Sequence, residues 1–339
     1  MLVLGLETTC DETAAAIVKE GRMVLSNVIS SQADFHSQYR GVFPEYASRS
    51  HVDLILPTLQ KALDEAGVSP QDIDLLAVAD RPGLMGPLLL GVNAIKALAW
   101  AWDLPFVTVN HLEAHLYAAL MSYEKEIIYP AVGVVISGGH TFMVSIEGPH
   151  RYTTLAQTVD DALGEAFDKV AALLGLPYPG GPEIEKLALQ GNSDRYPFKA
   201  GQVKTHPLHF SLSGLKTQVL YAIKGPNAKK DSPSLICEED KKDIAASFQK
   251  TALLDIVTKA KRAAKQVSAQ HIFFGGGVAN NGYLKTLFDD EYEVFFPKKE
   301  LTTDNGAMIA GLGYQIFLEN GPQEDFSAHP QPSGAILMP

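Results

Sequence analysis

One pattern occurs twice in this chain and narrows its possible folds more than any other. An apolar run from Leu2 to Leu6 ends in the polar turn ETTCDE (7–12), and a second apolar run returns from Thr13 to Lys19. Far along the chain the plan recurs as AVGVVI (131–136), the turn SGGH, then TFMVSIE (141–147). Two strand–turn–strand hairpins with polar or glycine-rich tips predict a duplicated α/β architecture, one hairpin in each half. Around them lie stretches with helical spacing: His51–Ala66 ending at Gly67, Gly91–Trp102, Asp161–Leu174, Glu183–Gln190, Lys241–Val267 and Gly306–Leu318. Leu75–Ala79 reads as a short buried strand, HIFFGGG (271–277) as a strand broken by glycines, and 224–240 and 176–183 as loops. At 339 residues a single core nears its practical limit, so two lobes are expected. The first spans 1–110 with a closing helix 306–320, the second 111–305, and 321–339 forms an irregular tail.

Composition excludes several classes. Two cysteines, Cys10 and Cys237, make no disulfide framework and have no CxxC spacing, which points to a reducing compartment. The start, MLVLGLETTC, lacks the basic and long apolar regions of a signal peptide, and LLLGVNAIKALAWAW is interrupted by Asn93 and Lys96. A soluble, cytoplasmic protein with no membrane partner is expected. The net charge of −11 disfavours a phosphate-rich partner, yet residues 199–299 hold 16 Lys or Arg against 10 Asp or Glu. Lys250, Lys259, Lys261, Arg262 and Lys265 fall on one predicted helix whose apolar face must turn inward. Most of them are therefore expected to face out, as a surface for RNA or as an ordinary solvated face.

Four constellations carry chemistry. ISGGHT (136–141) and FGGGVANN (274–281) each close an apolar run, where bare backbone lets N–H groups approach a phosphate or a flat base. Neither matches the common phosphate-loop or dinucleotide fingerprints, and a lone GG turn is most often only a tight turn. HLEAH places His111 and His115 four residues apart on one helix face, where two rings can converge on one metal ion, although core or exposed histidines often fall at that spacing by chance. Glu113 is about 200° round the helix from His111, so the base of an HExxH peptidase is missing. Asp304, just ahead of a predicted helix, supplies a third ligand, and two His with one carboxylate suit Fe(II) or Zn(II) with open positions. Asp11 and Glu12 sit at the first hairpin tip, where acidic residues usually meet solvent but in a cleft accept a proton. Asp168, in DDALGEAFDK, stands ahead of the Gly180–Gly181 pair, and FSLSGLKT (210–217) reads as a short turn carrying Lys216.

Taken in order, ETTCDET, FPEYASRSHV, HLEAHL, ISGGHT, DDALGEAFDK, LLGLPYPGGP, FSLSGLKT, FGGGVANN and TTDNGAMIA resemble the TsaD family of tRNA-modifying transferases. The resemblance runs from residue 1 to about 320. It implies two actin-like (ASKHA superfamily) lobes with a ligand cleft between them. It also implies transfer of a threonylcarbamoyl group from threonylcarbamoyl-AMP to the exocyclic amine of adenosine 37 in ANN-decoding tRNAs, releasing AMP. Carried over by motif, His111, His115 and Asp304 are metal ligands, and Val135, Ile136, Ser137, Gly138, Gly139, Asp168, Gly181, Glu185 and Asn280 line the adenylate pocket. That cleft also suits ATP- or ADP-like nucleotides. Asp11 and Glu12 become the catalytic candidates. The implied partners are tRNA, TsaB-like and TsaE-like subunits, and a TsaC-type enzyme supplying the adenylate. Arg81, Tyr46, Thr302 and Glu185 depart from the family's usual residues. An actin-fold small-molecule kinase and a non-catalytic nucleotide-binding scaffold are the alternatives; neither needs the histidine pair.

Overall fold

The computed structural model describes residues 1–339 except 33–34, 37–41, 228–232, 290, 324 and 334–339. The expected loop 224–240 therefore lies partly outside the described residues. The chain divides into two compact units, Met1–Glu126 with Gly148–Tyr152 and Pro297–Pro339, and Ile127–Glu147 with Thr153–Phe296.

The first unit is built on a five-stranded sheet ordered β3-β2-β1-β4-β5. Its strands are β1 (Leu2–Glu7), β2 (Glu12–Lys19), β3 (Met23–Ser31), β4 (Leu75–Arg81) and β5 (Phe106–Asn110). The predicted hairpin is present: β1 and β2 pair antiparallel from Leu2↔Lys19 to Glu7↔Ala14, and β4 and β5 extend the sheet in parallel. Pleating sends alternate residues to opposite faces. Leu4 and Leu6 therefore join a core with Ile55, Leu59, Val92 and Ile95, from the helices Pro44–Ala66 and Met85–Trp102. Gly5, on the other face, meets the helix Gly306–Asn320 so closely that a Cβ would lie 2.4 Å from the Gly306 carbonyl oxygen. That close approach brings the segment just before the helix, including Asp304, against the sheet.

The second unit repeats the plan with strand order β10-β9-β6-β7-β8. Here β6 (Ala131–Ile136) and β7 (Thr141–Gly148) form the hairpin, flanked by β8 (Arg151–Gln157), β9 (His271–Gly275) and β10 (Glu293–Phe295). Val132, Val134, Ile136 and Met143 pack with Phe167, Phe248, Ile272 and Phe274 in the unit's core.

Several expectations need correction. The helix His111–Met121 and residues 297–305 belong to the first unit, because that helix packs on Gly306–Asn320; Gln315 Nε2 donates to Tyr117 Oη at 3.0 Å. The helix expected from His51 begins at Pro44, and the one expected from Gly91 begins at Met85. FSLSGLKT is not a short turn but leads into the helix Ser213–Lys224. The described part of the tail has no helix or strand, yet it is strapped down. Gln323 and Gln331 donate backbone N–H groups to Phe106 and Asp80, and Phe326 stacks on Phe106. Among the described residues, no helix is long and apolar enough to cross a membrane.

Candidate functional site

The turn from parallel strand β5 into the helix His111–Met121 positions the histidine pair. Asn110 caps that helix, its side-chain oxygen accepting the Leu112 N–H at 2.9 Å, so His111 is the first helical residue. The C-terminal ends of parallel strands are where open α/β sheets gather their ligands. His115 follows one turn later, with ring centroids 4.6 Å apart. Nε2 of both rings faces the same oxygen of Asp304, at 3.5 Å from His111 and 3.1 Å from His115. The three ligand atoms lie within 4.8 Å of one another.

Behind His111 stands a residue that sequence reasoning missed. Glu7, fully buried at the end of β1, holds His111 Nδ1 at 2.9 Å with one oxygen and accepts the Thr9 N–H with the other. A carboxylate there fixes the proton on Nδ1 and leaves the Nε2 lone pair aimed at Asp304. Two facing lone-pair donors need a proton or a cation between them, and the surrounding field favours a cation. Burial, then Asp304 and Asp11, raise the Glu12 carboxyl; burial, then Asp11 and Asp304, raise the Cys10 thiol. Burial alone would lower His111, but Glu7 and Asp304 outweigh it and push it up to about 9. Acids and a base all shifted upward mark a site with excess negative charge. The donor set therefore fits a divalent metal ion.

Asp11 and Glu12 occupy the adjoining hairpin tip, each half-buried; Glu12 accepts from Ser31 Oγ at 3.2 Å. Glu113 is outside the ligand set. Burial raises its carboxyl to about 7, with Arg81 and Asn110 opposing. Arg81 itself is paired with buried Asp80, its Nη1 donating to both carboxylate oxygens at 2.7 and 2.8 Å. Of the other departures, Tyr46 stacks on Phe35, and buried Thr302 donates to the Lys299 carbonyl at 2.7 Å.

In the second unit the glycine-rich turns have an informative geometry. Val135 and Ile136 are fully buried, so only their backbone is available to a ligand. Ser137 closes the hairpin turn, its N–H donating to the His140 carbonyl at 2.9 Å. A Cβ added to Gly138, Gly139 or Gly181 would meet nothing within 4 Å, and none of the three has a left-handed φ. Neither packing nor backbone conformation demands glycine there, and the turns expose bare backbone. Asp168 accepts the Gly180 N–H at 2.7 Å and thereby fixes the turn that carries Gly181. Burial raises its carboxyl despite that bond and another from Gly181. Glu185 accepts the Gly282 N–H at 2.7 Å. Asn280 is half-buried at the end of a short 3-10 helix, whereas neighbouring Asn281 is buried and caps the next helix.

The basic helix differs from expectation. Lys259 is buried, paired with Asp255 at 2.7 Å and set over the Phe210 ring; Lys250 pairs with Asp194, and Lys261 with Asp289. Carboxylates within reach in an acidic chain neutralise these three. Arg262 and Lys265 remain exposed.

Solved structures resemble the whole chain. Component A of (R)-2-hydroxyglutaryl-CoA dehydratase from Acidaminococcus fermentans matches with TM-score 0.52 and 13% identity, covering 93% of this chain and 98% of that one. HypF from T. kodakarensis matches with TM-score 0.61 and 15% identity, covering 94% of this chain and 48% of that one. At such identities they show the fold alone, which is the actin-like one. Fold and site together define an actin-like α/β protein with a metal-ready His–His–Asp cluster and glycine turns open to a ligand. The family model described as TsaD: tRNA N6-adenosine threonylcarbamoyltransferase matches residues 23–311, and the chain belongs to that family. A relative of that name from Protochlamydia amoebophila is 54% identical over 333 residues, 97% of each chain. Another, from Chlamydia felis, is 50% identical over 321 residues, covering 94% of this chain and 92% of its own.

Proposed function

We propose that the chain transfers the threonylcarbamoyl group of threonylcarbamoyl-AMP to N6 of adenosine 37 in ANN-decoding tRNAs, in the cytoplasm. The observation that carries this reading is the 54% identity, across 97% of both chains, to a relative named for that transfer. In the reaction N6 attacks the carbamoyl carbonyl carbon, the bond from that carbon to the phosphate oxygen breaks, and AMP leaves with the electron pair. An adenine amine is a poor nucleophile, so positioning and charge stabilisation must supply most of the rate.

His111, His115 and Asp304 would hold one divalent ion, Fe(II) or Zn(II), with Glu7 orienting His111. Bound there, the ion supplies Lewis-acid and template chemistry. The Ser137–Gly139 turn, with the backbone of Val135 and Ile136, and Gly181 would take the adenylate; Asp168 and Glu185 set the turns, and Asn280 meets the adenosine moiety. ATP- and ADP-like nucleotides would compete there. Asp11 and Glu12 orient the incoming amine and accept its proton; burial and Asp304 raise the Glu12 carboxyl, which keeps a proton within its reach at the hairpin tip.

An exposed apolar face supports a protein partner. Val52 and Leu56, one turn apart, and Met85 and Leu89, also one turn apart, are between 46% and 67% exposed on two helices that pack together. A TsaB-like subunit covering this face would remove the patch from water. A TsaE-like subunit and a TsaC-type adenylate supplier complete the set. The test is reconstitution with unmodified tRNA, threonine, bicarbonate and ATP, read by nucleoside mass spectrometry. Modified adenosine is expected with the native chain and none with His111→Ala, which should also lose its metal. Full metal occupancy in that variant, or modification without the chain, contradicts the reading.

A further inference from the structure

The tip of the first hairpin is held from outside the hairpin, at two backbone carbonyls. Gln32 donates its backbone N–H to the Asp11 carbonyl at 3.2 Å, and its side-chain Nε2 to the carbonyl of Ala47 at 3.4 Å. His51, on the same helix as Ala47 and fully buried, places Nε2 3.0 Å from the Cys10 carbonyl oxygen and Nδ1 2.7 Å from Thr13 Oγ1. A carbonyl oxygen only accepts, so Nε2 carries the proton; in the neutral ring Nδ1 then accepts the Thr13 hydroxyl. Burial lowers the His51 pKa against the opposing bond to Cys10, which keeps the ring neutral.

Cys10 immediately precedes Asp11 and Glu12, and Thr13 immediately follows them. One imidazole therefore fixes the residue on each side of the two acidic groups while touching neither. Thr13 is itself anchored in β2, opposite Ser30 of β3, so its side is rigid and Cys10 is the side the ring restrains. Burial requires both ring nitrogens to be matched, and the two partners they reach bracket the turn that carries the acids.

We propose that His51 is a positioning residue for Asp11 and Glu12, clamping the hairpin tip so that both carboxylates keep the geometry the transfer requires. This rests on the transferase reading, which assigns those carboxylates their task. The clamp also ties the tip to the helix whose outward face carries Val52 and Leu56.

The experiment compares His51→Gln with His51→Asn in the chain reconstituted with its partner subunits. Gln reaches as far as Nε2 and retains an N–H for the Cys10 carbonyl; Asn ends near the place of Nδ1 and retains only the Thr13 bond. The Asn variant is expected to lose about 100-fold in kcat, the cost of a carboxylate misplaced by about 1 Å. The Gln variant should recover most of it, with adenylate KM and metal content unchanged in both. Equal kcat in all three proteins overturns the proposal, and so does a fall in the Asn variant that follows metal loss or melting temperature and is not recovered by Gln. A native chain with no transfer at all fails the transferase reading instead. The clamp is then read by amide exchange at Cys10–Thr13, which Asn must accelerate and Gln must not; equal exchange overturns it.

Discussion

At the scale of residues, the site divides into groups chosen for their atoms and groups chosen for what they leave out. The cluster of His111, His115 and Asp304 was partly legible in sequence, because a spacing of four puts both histidines on one helix face. Glu7 was not legible, because a lone acid before a polar turn looks solvated until its strand is placed in the sheet. His51 was hidden for a related reason: its partners are a backbone carbonyl and a threonine on another element. Gly138 and Gly139 belong to the second kind. Since a Cβ at Gly139 meets nothing, Gly139→Val should change stability by less than about 0.5 kcal/mol. It should nonetheless raise the adenylate KM about tenfold or more, roughly 1.4 kcal/mol, by occupying space meant for the ligand. Thermal melting and steady-state kinetics on the same preparation check both halves. An unchanged KM would make these glycines turn residues only.

At the scale of elements, the two hairpins were the clearest signals, since each is a pair of apolar runs joined by a compact polar or glycine-rich turn. The strands β3, β5, β8 and β10 were missed. Some are short, some half-exposed, and β5 is five buried residues with no alternation to read. Helix starts were placed late at His51 and Gly91 because the first turns, PEYASRS and MGPLLL, lack side-chain caps; neither Phe43 nor Leu84 makes a capping bond. The helix that HLEAH opens belongs to the first unit because it packs on Gly306–Asn320, a pairing of segments distant in sequence that no local pattern signals. The late start at His51 also hid the fastening of this helix to the hairpin tip. Its outer face gives an independent prediction. Leu56→Asp should weaken association with a TsaB-like subunit on the order of 100-fold, the loss typical of a central apolar anchor. Melting temperature and metal content of the isolated chain should stay unchanged, because Leu56 is 67% exposed. Titration calorimetry decides it, and undiminished affinity would move the partner to another surface.

At the scale of the whole molecule, a chain of net charge −11 must meet a polyanion. Its cations concentrate in residues 199–299, but ion pairs on the long helix leave Arg262 and Lys265 exposed there. Reversing both should flatten the slope of log tRNA affinity against log salt by about 0.7–0.9 for each phosphate that is no longer neutralised. Reversing Lys261, already held by Asp289, should change the slope far less. Equal effects would return the long helix to an ordinary solvated face. The central claim, that this chain itself moves the threonylcarbamoyl group, is tested most directly by a single turnover. Preformed threonylcarbamoyl-adenylate, labelled in its threonine, is mixed with unmodified tRNA and the chain with its partner subunits, with no free threonine or ATP. The label is predicted to appear on N6 of adenosine 37 with one AMP released per label transferred. AMP release without labelled tRNA, or labelling that proceeds equally without this chain, would contradict it.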